Sequence, residues 1–321
     1  MDFDMMSNRE ICSILVSEGY DPYYNFAIEE ELLYQVNKYG CILFLWQNSP
    51  SVIIGYNQNP WMECNVDVLK EDEGILTRRL SGGGAVYHDL GNLNFSFISP
   101  KKYTNISKQL EVIQRAVVSF GLLPVRSGRN DLLIGNRKFS GYAYYNNGEC
   151  SLHHGTILVN VNNEKLVRYL NVSTAKLNSK GIQSVKSRIC NLCEFEPSIT
   201  IPEMKTHIID SYKELFCISP VQIVLEDLDV QNLKRRQAKF SSWQWIFGRG
   251  IPFNYEFSFR CLWGEITAQL MINEGVVQDI AIWSDSLDVN ISPRLEKLLI
   301  GEPFNEKEIK EKIHRFVTYS L

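Results

Sequence analysis

Three consecutive glycines at residues 82–84 lie in a segment that reads LSGGGAVYHDLGNLNFSFI. Glycine has no Cβ and adopts positive φ without penalty, so the backbone N–H groups of such a run can closely approach an anionic ligand. Arg78 and Arg79 precede the run, and Lys138 belongs to a second block rich in glycine and aromatic residues. Backbone donors beside fixed positive charge predict a site for a phosphate or acyl phosphate.

The glycine run is predicted to connect two strands. Residues 75–80 form an apolar strand that leads into the loop, and beyond it Leu93, Phe95 and Phe97 alternate with polar residues. A P-loop differs, because there the glycines pass from a strand directly into a helix. The chain also contains no G-x-x-x-x-G-K-[ST], G-x-G-x-x-G or H-E-x-x-H motif. Common nucleotide-binding folds are therefore disfavoured.

Apolar periodicity and turn residues predict the other elements, which are helices and hairpins in no strict alternation. The predicted elements are helices over 25–38 (Asn25 as N-cap), 111–120, 203–216 and 305–318, hairpins pairing 41–48 with 51–58, 131–134 with 137–139 and 266–272 with 276–283, and a strand over 156–161. This order favours an α+β fold over a doubly wound sheet. An aromatic-rich stretch ends near residue 250, where we expect a boundary between a catalytic domain (1–250) and an accessory domain (251–321).

Composition excludes several classes of protein. The chain has 321 residues and a net charge of −4, so as a whole it is not expected to bind nucleic acid. Its first residues lack the apolar region of a signal peptide, and its longest aliphatic-aromatic run, residues 42–46, is too short for a membrane span. Of eight cysteines only Cys190 and Cys193 form a C-x-x-C pair. We expect reduced thiols in a cytoplasmic protein without membrane association.

Several blocks, in order along the chain, resemble the lipoate–protein ligases. They are DPYYNFAIEE (21–30), LFLWQNSPSVIIGYNQNPWMECN (43–65), RRLSGGGAVYHDLGN (78–92), GRNDLLIGNRKFSGYAY (128–144), LHHGTILVN (152–160), KLNSKGIQSVKSRICNL (176–192) and SSWQWIFG near 245. The resemblance implies a biotin/lipoate ligase-like catalytic domain with a mixed, largely antiparallel sheet. A small α+β C-terminal accessory domain would follow it.

The reaction implied by the resemblance has two steps. The carboxylate of lipoate attacks the α-phosphate of ATP, which gives lipoyl-AMP and pyrophosphate, with Mg²⁺ as the implied metal. A lysine amine of an acceptor then takes the acyl group. The implied acceptors are the apo lipoyl domains of 2-oxoacid dehydrogenase E2 subunits and the glycine-cleavage H protein. Because two anionic groups meet in the first step, positive charge and backbone donors must stabilise the transition state.

The resemblance also assigns roles to individual residues. Lys138 is the expected catalytic residue. Adjacent strand residues face opposite sides, so only one of Arg78 and Arg79 can face the site, and the resemblance selects Arg79. Asp131 is the candidate Mg²⁺ ligand, although an aspartate there is equally consistent with a turn cap. The implied ATP-binding residues are Arg79, Gly84, Ala85, Val86, Tyr87 and Lys138, and the implied lipoate-binding residues are Trp46, Ser81, Gly83, His88, Lys138 and His154.

Alternatives remain open for some residues. Plain core packing is nearly as plausible for Trp46 as a wall for the acyl chain, and His153 is expected to be a hydrogen-bonded core residue. Arg137 is expected on the surface. Lys176, Lys180, Lys186 and Arg188 are proposed to form a basic face for an acidic acceptor, against the alternative of a solvated loop.

Rival functions share the same fold type. An octanoyltransferase would need a cysteine nucleophile, expected just upstream of the Lys138 motif, where this chain reads SGRND; Cys150 and Cys190 lie beyond it. A lipoyl transferase that accepts preformed lipoyl-adenylate is only weakly disfavoured. A non-catalytic binding module is disfavoured because lysine, aspartate and glycine loop are all present. Biotin ligases carry a GRGRxGR loop, which is absent here.

Overall fold

A computed structural model describes residues 11–128, 130–171, 188–216, 219–261 and 264–320. Its strands are β1 (Cys12–Val16), β2 (Cys41–Trp46), β3 (Ser51–Ile54), β4 (Ile75–Arg78), β5 (Val86–His88), β6 (Asn92–Pro100), β7 (Pro124–Ser127), β8 (Asp131–Ile134), β9 (Arg137–Asn146), β10 (Cys150–Leu158), β11 (Val221–Gln222), β12 (Tyr255–Cys261), β13 (Gly264–Asn273) and β14 (Val276–Ser284). They form one eight-stranded and two three-stranded sheets.

The helices are α1 (Pro22–Tyr34), α2 (Val36–Tyr39), α3 (Pro60–Glu63), α4 (Val66–Glu71), α5 (Ile106–Val118), α6 (Asn163–Tyr169), α7 (Ile201–Leu215), α8 (Val230–Ser241), α9 (Trp243–Phe247), α10 (Ile291–Leu299) and α11 (Glu306–Ser320). Buried side chains pack these helices against the sheets, as on the buried faces of α5 and α7. None of the described helices is long and apolar enough to cross a bilayer.

The large sheet has the strand order β11-β1-β2-β6-β10-β9-β8-β7. Its pairs from β2 to β7 are antiparallel, whereas β1 pairs in parallel with β2 and β11. This confirms the predicted α+β class with a mixed, largely antiparallel sheet. Alternation along β2 divides its side chains between two cores: Leu43 and Leu45 pack toward α5 and α7, whereas Phe44 and Trp46 pack toward α1 and α8.

Two smaller sheets complete the fold. Strands β4, β3 and β5 form one of them, with β3 in the centre, parallel to β4 and antiparallel to β5. The glycine run therefore connects β4 to β5 within this sheet. Strands β12, β13 and β14 form an antiparallel sheet whose apolar face packs against α10 and α11.

Both tight hairpins that were predicted from glycine turns are present. Strands β8 and β9 turn at Gly135, which has a φ of 59°, and β13 and β14 turn at Glu274 and Gly275, both with positive φ. The helices predicted over 111–120, 203–216 and 305–318 are α5, α7 and α11, with shifted ends. The strand predicted over 156–161 is part of β10.

Two predictions of local structure were wrong. Helix α1 begins at Pro22, with Asp21 as its N-cap, so Asn25 lies inside the helix and its buried side chain bonds to Ser17 and Gln47 instead. Strands β2 and β3 do not form a hairpin, because β2 belongs to the large sheet and β3 to the small sheet. Ser49 and Pro50, which lie between the two strands, mark a change of sheet.

Candidate active site

A cavity of about 150 Å³, open to solvent on one side, lies between the large sheet and the small sheet of β3, β4 and β5. Four of its lining residues are register partners across the large sheet: Trp46 of β2 pairs with Asn94, Asn94 with Thr156, and Thr156 with Gly141. Adjacent strands are about 4.8 Å apart, so this row extends for roughly 14 Å. The cavity thus has a Trp46 end and a Gly141 end, and Lys138 lies at the latter.

Lys138 is held at this end by its own backbone and by a carboxylate. Its N–H donates to the carbonyl of Arg188 and its carbonyl accepts from the N–H of Cys190. Its Nζ lies 2.6 Å from Oδ1 of Asp131, and about a third of each side chain is exposed. A Cβ on Gly141 would come within 2.6 Å of the same Nζ, so the Lys138 side chain passes directly over this glycine.

Arg79 places a second positive charge beneath the glycine run. Its guanidinium donates to the carbonyls of Gly82 at 2.6 Å and Gly84 at 2.8 Å, and to the hydroxyl of Ser81 at 3.1 Å. Burial lowers the pKa of Arg79 to about 10, an effect that the nearby Glu29 opposes. Arg79 therefore stays protonated at neutral pH and fixes the shape of the loop.

Arg78 points away from the cavity, as alternation predicted for one of the two arginines. It is buried and donates to backbone carbonyls of the 55–58 segment and of Trp245 and Ile246 in α9. Burial, and next the charge of Arg249, lower its pKa to about 9. Arg78 thus ties α9 to the small sheet.

His154 belongs to a buried chain of hydrogen bonds along the cavity wall. Its Nδ1 lies 2.8 Å from Oε1 of Glu29, and its Nε2 lies 2.6 Å from Oγ of Ser81. Ser96 donates to the same Glu29 oxygen and accepts from the indole N–H of Trp46. Every ring nitrogen of His154 and Trp46 thus has a hydrogen-bond partner, and these hydrogen bonds fix the orientations of both rings.

The two other histidines predicted from sequence lie on opposite sides of the large sheet. His88 lines the cavity, and burial, followed by the charge of Arg79, lowers its pKa to about 3. His153 is a core residue, as expected: it bonds to Gln109 and packs against Phe97 and Tyr144. Burial likewise lowers the pKa of His153 to about 3. Arg137 is partly exposed and pairs with Glu194.

The structure brings together nine of the twelve residues assigned from the resemblance. The nine that line the cavity are Trp46, Arg79, Gly83, Gly84, Ala85, Val86, His88, Lys138 and His154. Ser81 and Asp131 do not line the cavity themselves, but Ser81 contacts the lining residue His154 and Asp131 contacts Lys138. The Tyr87 side chain does not line the cavity and packs on Tyr169, so only its backbone could contribute to binding a nucleotide there.

Sequence reasoning missed several lining residues, among them Phe26, Asn94, Asn130, Tyr142 and Thr156. A signal was present for one of them. Asn92, Asn94 and Ser96 alternate with the apolar residues of β6, yet all three are buried. A polar face on a central strand indicates a buried polar site rather than a solvated face.

The described residues provide neither a preformed metal cluster nor a thiol in the cavity. No cluster of three His, Cys, Asp or Glu side chains among them could hold a metal ion. A single carboxylate is compatible with Mg²⁺, since that ion commonly keeps waters and takes one or two carboxylates besides substrate phosphates; Asp131 offers such a carboxylate beside Lys138. No cysteine of the described chain lines the cavity, and Cys150 is buried in the core.

The segment that follows β14 contacts the glycine run directly. The N–H of Gly83, which has a φ of 92°, donates to the carbonyl of Ser286 at 2.8 Å. Asn57 accepts from the N–H of Ser284 and donates to the carbonyl of Val289. One backbone donor of the loop is therefore engaged by the residues that follow β14.

Comparison with known proteins agrees with this architecture. The family model "Lipoyl protein ligase A/B catalytic domain" matches residues 21–213, and "Bacterial lipoate protein ligase C-terminus" matches residues 251–320. Lipoate-protein ligase A of Psychrobacter cryohalolentis is 37% identical over 307 residues, which cover 93% of this chain and 91% of that protein.

Two solved structures are similar in fold. P. falciparum LipL1 in complex with lipoate has a TM-score of 0.81 and 28% identity, covering 94% of this chain and 93% of the other. The bi-partite lipoate protein ligase of Thermoplasma acidophilum, studied with its E2 lipoyl domain, has a TM-score of 0.65 and 25% identity, covering 77% of this chain and all of the other. In sequence and in fold, the chain belongs to the lipoate–protein ligase family.

Proposed function

We propose that this protein activates lipoate with ATP and transfers the lipoyl group from lipoyl-AMP to a lysine of an acceptor protein. One observation carries the proposal: a single cavity joins Lys138, Arg79 and the glycine loop at one side to an end walled by the aromatic rings of Phe26 and Trp46. Charge suits the carboxylate and phosphate, and the aromatic wall suits an acyl chain. The matched family and the relatives named as ligases support the same activity.

In the first step the site must bring two anions together. Lys138, as a compact cation at the Gly141 end, is suited to an oxygen of the acyl carboxylate or of the α-phosphate. Arg79 is engaged by loop carbonyls, so its charge acts mainly by fixing the loop and by its field. Such preorganised charge stabilises the negative charge that develops on phosphate and leaving pyrophosphate.

Magnesium is proposed as the metal, with Asp131 as its protein ligand. When bound, Mg²⁺ would neutralise charge on the phosphate oxygens. Asp131 also pairs with Lys138. Its carboxylate therefore has two roles available, orienting the lysine and holding the metal.

For the second step we propose apo lipoyl domains as acceptors, namely those of 2-oxoacid dehydrogenase E2 subunits and the glycine-cleavage H protein. The Thermoplasma acidophilum structure, which concerns an E2 lipoyl domain, supports this class of partner. The proposed basic face at Lys176, Lys180 and Lys186 lies outside the described residues. Its last member, Arg188, is exposed at the end of that segment, beside Lys138. We propose a cytoplasmic location.

The chain is proposed to consist of a catalytic domain (1–250) and an accessory domain (251–321). The separate sheet and core of β12–β14 support this division. Because Ser286 occupies the Gly83 donor, a ligand that uses this N–H must first displace the accessory domain. Movement of the accessory domain is thus proposed to accompany adenylate formation.

An octanoyl or lipoyl transferase that does not itself use ATP remains the alternative function. A cysteine nucleophile has no candidate among the described residues that line the cavity. Burial also raises the pKa of Cys150 and Cys190, which opposes thiolate formation. Both features favour the ligase over an octanoyltransferase that uses a cysteine nucleophile.

The experiment combines purified protein, lipoate, ATP, Mg²⁺ and an apo lipoyl domain. We expect lipoyl-AMP without the acceptor and a mass increase on the acceptor when it is present. Leaving out ATP should abolish both products. Modification of the acceptor by a lipoyl or octanoyl carrier protein without ATP would support the transferase instead.

A further inference from the structure

Two residues that line the cavity carry buried nitrogen atoms without a hydrogen-bond partner among the described residues. They are Nε2 of His88 and Nδ2 of Asn94, and the exposed fractions of these residues are 3% and 1%. A buried polar group without a partner costs free energy, so such groups in a binding cavity point to a ligand atom.

The surrounding hydrogen bonds determine which nitrogen of His88 carries the proton. Backbone carbonyls of Gly19 and Gln47 accept from Asn25, which makes that amide a donor toward Oδ1 of Asn48. Asn48 must then direct its NH₂ group at Nδ1 of His88, at 3.1 Å. Nδ1 is therefore the acceptor, and the single proton of the neutral ring is on Nε2. The unpartnered atom of His88, Nε2, is therefore a hydrogen-bond donor.

Both donors lie at the Trp46 end of the cavity. Asn94 is the register partner of Trp46, and the ring of His88 meets the indole edge-on with centroids 6.2 Å apart. Lys138 is at the opposite end of the row, over Gly141. An acyl group whose carboxylate reaches Lys138 would therefore direct its far end at His88 and Asn94.

We propose that His88 and Asn94 are specificity-determining residues that favour an acyl tail ending in sulfur acceptors over a plain alkyl tail of the same length. This inference rests on the proposed function. A dithiolane sulfur is a weak hydrogen-bond acceptor and can take an N–H, whereas the end of an octanoyl chain would leave both donors buried and unpaired. Since sulfur is a weak acceptor, the discrimination is expected to be about ten-fold, well below that for a hydroxyl.

The test measures the ratio of the affinities for lipoate and octanoate by calorimetry, which does not depend on turnover. His88→Phe keeps a flat ring without a donor, His88→Gln keeps an N–H at the position of Nε2, and Asn94→Leu removes the second donor. We expect the ratio to fall roughly ten-fold in His88→Phe, to fall also in Asn94→Leu, and to persist in His88→Gln. Thermal unfolding identifies any variant that does not fold. The affinity ratios of the variants that do fold then decide whether His88 and Asn94 set the specificity.

Ratios within about two-fold of the wild-type value in both His88→Phe and Asn94→Leu would overturn the inference, as expected if a water satisfies the donors. A wild-type protein that binds neither acid would also overturn it. ATP–pyrophosphate exchange, measured in parallel, separates the two hypotheses. Selective binding of lipoate without any exchange would refute the proposed ligase activity while supporting the role of His88 and Asn94.

Discussion

Replacing Gly141 with alanine should misplace Lys138, the proposed catalytic residue, while sparing the fold. The new Cβ would lie 2.6 Å from Nζ and 2.8 Å from Cε of Lys138, and no other neighbour would be closer than 3.9 Å. Favourable contacts of this kind are about 3.5 Å or longer, so the ammonium must move by roughly 1 Å. A displacement of that size at a reacting centre can reduce the rate by about 10²-fold.

Stability should change little in Gly141→Ala. The obstructing atoms are the flexible end of a lysine whose side chain is about one third exposed, and Gly141 has no positive φ that an alanine would strain. We expect the free energy of unfolding to change by less than about 1 kcal/mol. Gly250→Ala is the matched control, because Gly250 is exposed, its Cβ would meet only one atom at 3.9 Å, and it lies outside the cavity.

The assay is lipoate-dependent ATP–pyrophosphate exchange in Gly141→Ala, Lys138→Ala and the double variant. If the glycine acts through the lysine, the double variant should be no slower than Lys138→Ala alone. Near wild-type exchange by a folded Gly141→Ala protein would refute the reasoning. So would losses that add in the double variant, since they would give Gly141 a role of its own.

Three further predictions concern other parts of the molecule. Burial lowers the pKa of His153 from 6.5 to about 3, so between these pH values only the unfolded chain takes up a proton on this residue. The free energy of unfolding should therefore fall as the pH falls through this window, by up to about 1.4 kcal/mol per pH unit. Urea unfolding at several pH values should show a weaker pH dependence for His153→Gln than for the wild-type protein. Charge reversal at Lys180 and Lys186 should slow transfer to the acceptor, most at low salt, and leave exchange unchanged; equal loss in both assays would place them in the adenylation site. A Cβ on Gly82 would collide with the carbonyl of Ser286, so Gly82→Ala should release the accessory domain from the glycine run. Solution scattering should show the same direction of change in shape for Gly82→Ala as for the wild-type protein with a lipoyl-adenylate analogue. Identical scattering profiles would count against this movement.

Local signals in the sequence predicted local structure well. Gly135 and Gly275 occupy positive-φ turn positions where glycine is favoured, and both hairpins were placed correctly. Asn25 was mistaken for a helix cap because Asn is a good N-cap in general. Its real role, in a buried network with Ser17 and Asn48, depends on segments that are distant in sequence.

The candidate site was predictable where a motif carried it and not elsewhere. Arg79, Lys138 and the glycine loop stood out by composition and resemblance, and the cavity contains them. Asn94 was overlooked because an alternating strand ordinarily has one solvated face. Only the packing of the small sheet and α1 over β6 turns that polar face inward, and packing between distant segments leaves little local trace.

The most direct test of this account compares Lys138→Ala with Arg137→Ala in lipoate-dependent ATP–pyrophosphate exchange. The two residues are neighbours on β9, but Lys138 lines the cavity, whereas Arg137 pairs with Glu194 at 2.7 Å, outside the cavity. Removing Lys138 should lower exchange on the order of 10²-fold or more, because it removes a charge that the transition state needs. Removing Arg137 should change exchange by less than about two-fold, since a partly exposed ion pair contributes little. Near wild-type exchange by a folded Lys138→Ala protein, or equal losses in both variants, would contradict the account.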